Sequence, residues 1–184
     1  MAIVINGSGT VTGLAVGGLP DLTVDSGTLA VNSRGSVLQV VNTQSTSTVV
    51  GTTTVPYDDT IPQITEGFEV MTLNITPTSA SSKLLINVVT HLSAGANSLP
   101  TTNLFVGTTA NALATAFTHA YGAGDNPLNH KLTYYMTSGS TSALTFRVRI
   151  GSNNSDSLTF NGREEVRKMG GAITSSITIM EVAV

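Results

Sequence analysis

Across 184 residues the chain carries 8 Lys and Arg against 11 Asp and Glu, a net charge of -3, with only 10% of its residues charged. That balance offers no basic patch to neutralise phosphates, which argues against a nucleic-acid partner, and no apolar run reaches the ~20 residues of a membrane span, so no membrane insertion is expected. The length suits one domain with a real core plus an appendage, and a chain without cysteine that must persist outside a cell relies on packing, a metal or association with other chains, of which association fits best.

Residues 1–35 stand apart, with seven glycines between short apolar groups, among them Ile3, Val4 and Ile5, then Leu14, Val16 and Leu19. Pieces so short and so interrupted bury no core of their own, because glycine adds ordering cost without packing area. They read either as a flexible tail or, since a pure tail would carry more charge and less Ile, Val and Leu, as an extended arm that docks on a partner, with the six named residues as its candidate contacts. The opening MAIVINGSG lacks the basic start and long apolar centre of a secretion signal. The expectation is synthesis in a cytoplasm and export within something larger.

From Ser36 the texture is that of β-strands. Residues 36–42 (SVLQVVN) place Val37 and Val41 on one face and Leu38 and Val40 on the other. The Thr/Ser tract 43–54 reads as irregular, and Pro56 with Asp58 and Asp59 marks a loop. Residues 68–75 form a strand that turns through Thr76 and Pro77 into a second strand, in which Leu84, Ile86, Val88 and Leu92 recur at period two. This pair is expected to be a hairpin. Residues 104–106 and 113–117 form a shorter pair, with one helical turn conceivable over the Ala-rich residues 110–116. Residues 131–137 and 143–150 are expected as a second hairpin, its return strand LTFRVRI sending Leu144, Phe146, Val148 and Ile150 inward and Arg147 and Arg149 outward. Short strands follow at 158–160 and 173–182.

Such a succession of strands and polar turns predicts an all-β fold, an antiparallel jelly-roll β-sandwich over residues 36–184 behind the Gly-rich N-terminal arm. If strands alternate in direction, the connections 93–102, 121–129 and 152–157 emerge at one end, and the turns 77–82, 107–112 and 138–141 at the other. Function gathers where the longer loops do. Asn97, Tyr121, Asp125 and Asn126 lie in those loops and suit stacking on or hydrogen bonding to a glycan.

No arrangement of residues points to catalysis: there is no nucleophile elbow, Walker pattern or assignable carboxylate pair, and no enzyme activity is expected. His91, His119 and His130 show no metal-ligand spacing. Asp58 and Asp59 with Glu66 and Glu69 fit either a calcium site or a solvated acidic loop, and no metal or cofactor is assigned. The segment 162–168 (GREEVRK) reads as a solvated hairpin or, alternatively, a cluster of ion pairs between subunits.

Several pieces resemble bacteriophage virion proteins of the tail-fibre, head-fibre and head-decoration kind: INGSGTVTGLAVGGLPDLTVD, SVLQVVN with its Thr/Ser tract, ITPTSASSKLLI, LFVGTTA, FRVRIG and GGAITSSITIMEV. The resemblance implies a jelly roll of the tumour-necrosis-factor and C1q type. It further implies a homotrimer that is mounted on other virion proteins through the N-terminal segment and exposed on the particle. The long repetitive shaft of large tail fibres is missing. A short receptor-binding fibre is therefore expected, with a capsid decoration protein that cements the head as the alternative.

Overall fold

The computed structural model describes residues 36–122 and 125–184, so Ile3, Val4, Ile5, Leu14, Val16 and Leu19 lie outside the described residues. The described strands are β1 (Val37–Ser45), β2 (Val49–Gly51), β3 (Phe68–Ile75), β4 (Lys83–Ala94), β5 (Thr101–Val106), β6 (Ala114–Phe117), β7 (Asn126–Thr137), β8 (Leu144–Gly151), β9 (Leu158–Phe160), β10 (Gly162–Arg163), β11 (Val166–Arg167) and β12 (Ser175–Val182). One 3-10 turn, Met169–Gly171, is the helical element among the described residues. No described helix is long and apolar enough to cross a membrane.

Two antiparallel sheets make the expected jelly-roll sandwich. In one, β12 lies between β1 and β4, while β7 pairs with the other edge of β4 and β9 carries β2. The second runs β3-β8-β5-β6. Between them sits a core that includes Met71, Leu73, Ile75, Leu84, Ile86, Val88, Leu92, Leu104, Phe146, Val148, Ile150, Phe160, Ile177 and Ile179, all buried. The period-two residues of β4 and β8 point inward as the alternation requires. Leu84, Ile86, Val88 and Leu92 are each at most 2% exposed, as are Phe146, Val148 and Ile150.

Neither of the two expected hairpins forms. Strands β3 and β4 belong to opposite sheets, β3 pairing with β8, and β4 with β12 and β7. The connection 76–82 is thus an arch over the core. In the same way β7 pairs with β4 while β8 pairs with β3 and β5, so residues 138–143 form a second arch. Apolar faces can be buried by facing each other across a sandwich as well as side by side, and alternation alone does not distinguish the two. The pair β5 and β6 does form, Leu104 opposite Ala114, without a helical turn over 110–116.

Further differences have local causes. The tract 43–54 is more regular than its composition suggests, because β1 runs on to Ser45 and β2 pairs with β9. A register shift between Val37 and Gln39 breaks the alternation at the start of β1, leaving Val37 54% exposed while Val41 packs on the core. Residues 52–67 lie along the second sheet. Val55 N donates to Ser152 O (2.8 Å) and Gly67 N to Thr54 O (2.9 Å). Arg149 donates through Nε to Glu66 O (3.0 Å) and through its terminal nitrogen to Gly67 O (2.8 Å).

Gly67 and Gly151 make this close approach possible. Gly67 adopts φ +62, and a Cβ there meets the Ile150 carbonyl oxygen; a Cβ on Gly151 comes 2.6 Å from Val55 Cγ2 and 2.9 Å from Thr53 O. Gly67→Ala is therefore expected to destabilise the domain by ~2 kcal/mol, from left-handed strain added to overpacking against backbone. Urea unfolding tests this, and a loss too small to measure contradicts the packing described.

Candidate functional site

The strand registers fix the two ends of the sandwich. Lys83, Val182 and Thr137 are neighbours at one end, while Ala94, Asn126 and Leu158 are neighbours at the other. At the first, the turn end, Ser138 N donates to Ser82 O (2.9 Å) and Gly107 N to Thr145 O (2.7 Å), which gathers the connections after β3, β5 and β7. The loop end gathers the other three, as strand alternation predicts. Asn97 N donates to Ala120 O (2.7 Å), Ala120 N to Ser98 O (2.9 Å), and Leu99 N to Asn153 Oδ1 (2.7 Å).

All four residues expected to contact a ligand fall at the loop end. Asn97, at φ 58, is joined through the Ala120 carbonyl to the backbone next to Tyr121. Tyr121 is 74% exposed, and the His119 ring stands edge-on to it, centroids 3.8 Å apart at 89°. His119 was not paired with Tyr121 from the sequence; their spacing of two, which puts side chains on one side of extended backbone, was the available signal. Asp125 Oδ2 accepts from Glu164 N (2.8 Å). Asn126 differs from expectation: it is the first residue of β7, paired opposite Ala94, not part of a loop.

The charged segment folds as the two-stranded β10-β11 ribbon, Arg163 opposite Val166. Glu164 and Glu165 both have positive φ, the geometry of a two-residue turn whose twist matches the strands. Its ion pairs close within the segment, Glu164 with Arg163 (3.5 Å) and with Lys168 (3.6 Å). The buried Asn161 anchors the ribbon, donating to Ser45 O (2.7 Å) and accepting from Ser175 Oγ (2.6 Å), while its own N–H donates to His91 O (2.9 Å). A shallow groove beside it is lined by Gly95, Asp125, Asp156, Ser157, Glu164 and Glu165. Four acidic side chains thus line this groove, at the same end of the sandwich as Tyr121.

Asp58, Glu66 and Glu69 are taken up in separate local roles. Asp58 Oδ1 accepts from Thr60 N (2.8 Å), Glu66 Oε2 from Gln63 N (2.8 Å), and Glu69 pairs with Arg147 (3.0 Å). Among the described residues no three acidic or histidine side chains gather as a metal site.

Two further surfaces carry apolar side chains outward. On the outer face of the first sheet, Val40, Met180, Leu85 and Tyr135 stand in one cross-strand row, with Val40 and Tyr135 55% and 57% exposed. The next row, Asn42, Thr178, Asn87 and Thr133, is polar and internally bonded: Asn42 Nδ2 to Thr178 Oγ1 (2.8 Å) and Thr133 Oγ1 to Asn87 Oδ1 (2.9 Å). Opposite residues in register share a face, so this is a continuous surface without a charge in either row. The second surface lies at β6, the outer strand of the second sheet, where Phe117 and Tyr57 pack with centroids 5.5 Å apart and Ile61 is half exposed.

No family model and no curated protein sequence matches the chain. Among solved structures it is similar to Eiger TNF from S. frugiperda, with TM-score 0.42 and 11% identity over 78% of this chain and 93% of that one. It is also similar to dimeric latent PorU from Porphyromonas gingivalis, with TM-score 0.37 and 10% identity over 82% of this chain and 14% of that one. A third is infectious bursal disease virus, Gx strain, with TM-score 0.33 and 16% identity over 79% of this chain and 37% of that one. The jelly-roll order itself stands on the strand registers of this chain.

Proposed function

We propose that this chain is a bacteriophage virion structural protein, a short homotrimeric fibre or receptor-binding protein displayed on the particle, made in the host cytoplasm and mounted through its N-terminal segment. The phage assignment rests on the sequence pieces given above. The observation that supports self-association is the pair of unlike apolar surfaces on one sandwich, the Val40–Met180–Leu85–Tyr135 row and the Tyr57, Phe117 and Ile61 patch. Unlike patches that meet make a heterologous contact, which repeats around an axis and closes into a ring when the rotation permits. The uncharged rows let a second copy approach without like-charge repulsion.

At the loop end, Tyr121 offers a stacking face, and Asn97, Asp125 and Asn126 offer hydrogen-bonding groups to a host surface saccharide. The acidic groove favours an uncharged sugar over an anionic polymer. The protein builds and binds, and this reading assigns it no reaction; release of oligosaccharide from host envelope glycans by the purified chain would count against it.

Light scattering is expected to give three times the 18.9 kDa of one chain. The double variant Leu85→Glu, Tyr135→Glu is expected to give a folded monomer, since both side chains point away from the core. A wild-type monomer at micromolar concentration refutes the trimer. Antibody labelling on particles separates fibre from decoration protein: label confined to the head selects the capsid decoration alternative.

A further inference from the structure

The position of the described N-terminus within the fold carries an orientation. Ser36 O accepts from Ala183 N (2.9 Å), and Val37 stands opposite Val182, which is itself opposite Lys83 at the start of β4. Gln39, just inside β1, donates to Thr76 O (2.8 Å) and to the Glu181 carboxylate (2.6 Å). The described chain therefore begins at the turn end of the sandwich. That end is closed from within by the buried Ser82, Ser138 and Glu181, and Ser138 Oγ donates to Ser79 O (2.6 Å). Strand β4 spans its 12 residues between the two ends, which at ~3.3 Å per residue places the loop end about 40 Å away.

We propose that the domain is mounted turn end down, with the arches 76–82 and 138–143 against the particle, and that the loop end carrying Asn97, Tyr121 and Asp125 is its outward tip. This rests on the virion reading and goes beyond it by fixing which end meets the partner proteins and which meets the host. The two ends are suited to these roles. A base that transmits the pull of an attached arm gains from a closed hydrogen-bond network, and a tip that samples a host surface gains from exposed aromatic and polar groups on loops.

The chain has no cysteine, so single-cysteine labelling reads the orientation without background. Tyr121→Cys at the loop end and Thr141→Cys in the second arch both alter exposed positions and are expected to leave the thermal midpoint unchanged. In free protein both are expected to react with a bulky hydrophilic maleimide. On intact purified particles Tyr121→Cys is expected to label fully and Thr141→Cys to be protected. Reversed protection, or equal labelling of both on the particle, overturns the orientation while leaving the virion reading intact. Absence of the chain from purified particles by mass spectrometry overturns the virion reading and the orientation with it.

Discussion

Glu181→Ala is expected to cost the domain about 3 kcal/mol or more, counting ~1–3 kcal/mol for each buried donor left unpaired. Glu181 lies on the inward face of β12 and is fully buried. Its carboxylate accepts from Thr78 N (2.8 Å), Thr78 Oγ1 (2.9 Å), Ser82 Oγ (2.5 Å) and Gln39 Nε2 (2.6 Å). Donors stand where a cation might, since the ion pairs among the described residues lie at Glu69 and Glu164. Burial raises the affinity of this carboxyl for its proton, but the hydrogen bonds from Gln39, Ser82 and Thr78 more than offset it and hold the pKa at about 2. The group is therefore ionised at neutral pH and pins the first arch to the last strand. Glu181→Gln keeps the shape but turns an amide donor toward some of these donors, so it is expected to cost less than Ala and more than nothing. Urea unfolding ranks the three proteins, with the amides of Thr78 and Ser79 losing hydrogen-exchange protection first in the variants. An Ala variant within 1 kcal/mol of wild type on that ~3 kcal/mol scale removes Glu181 as the pin.

The second large effect is expected on acidification. His130 on β7 lies between the sheets, its Nδ1 2.9 Å from Thr102 Oγ1 on β5, which in turn is 2.8 Å from Thr90 Oγ1 on β4. Its Nε2 is buried without a partner. Burial lowers the pKa from 6.5 to about 4, so the fold holds the neutral ring. Between these values the unfolded chain binds a proton that the native chain does not, and stability falls as pH falls. At 1.36 kcal/mol per pH unit the loss reaches at most about 3 kcal/mol by pH 4. Glu181, lowered from 4.5 to about 2, adds a loss of the same sign as pH falls from 4.5 toward 2, because its depressed pKa favours folding only while the unfolded carboxyl is ionised. His130→Gln, which keeps a hydrogen-bonding group for Thr102 but does not titrate, is expected to flatten the profile between pH 6.5 and 4.5 and leave the lower limb. A variant profile parallel to wild type over that upper range contradicts the assignment to His130.

Class and buried faces were legible from the residues alone. Alternation in residues 84–92 and 144–150 announced strands with one buried side, and the inward sets were right residue by residue because the side-chain period of a strand is fixed by backbone geometry. Parity of strand direction also placed Asn97, Tyr121, Asp125 and Asn126 at one end, since a strand that crosses to the other sheet still reverses direction. Which strands are neighbours was set by the packing of the two sheets. Leu73 and Leu84 are apolar whether they sit side by side in a hairpin or face each other over an arch, so β3 and β4 were legible as strands but not as members of opposite sheets. The buried polar groups were equally hidden. Glu181 in SITIMEV reads as an ordinary charged residue near an edge, and its burial depends on donors at Thr78, Ser82 and Gln39, between 99 and 142 residues away in sequence, which only the packing of the two sheets brings within hydrogen-bond reach.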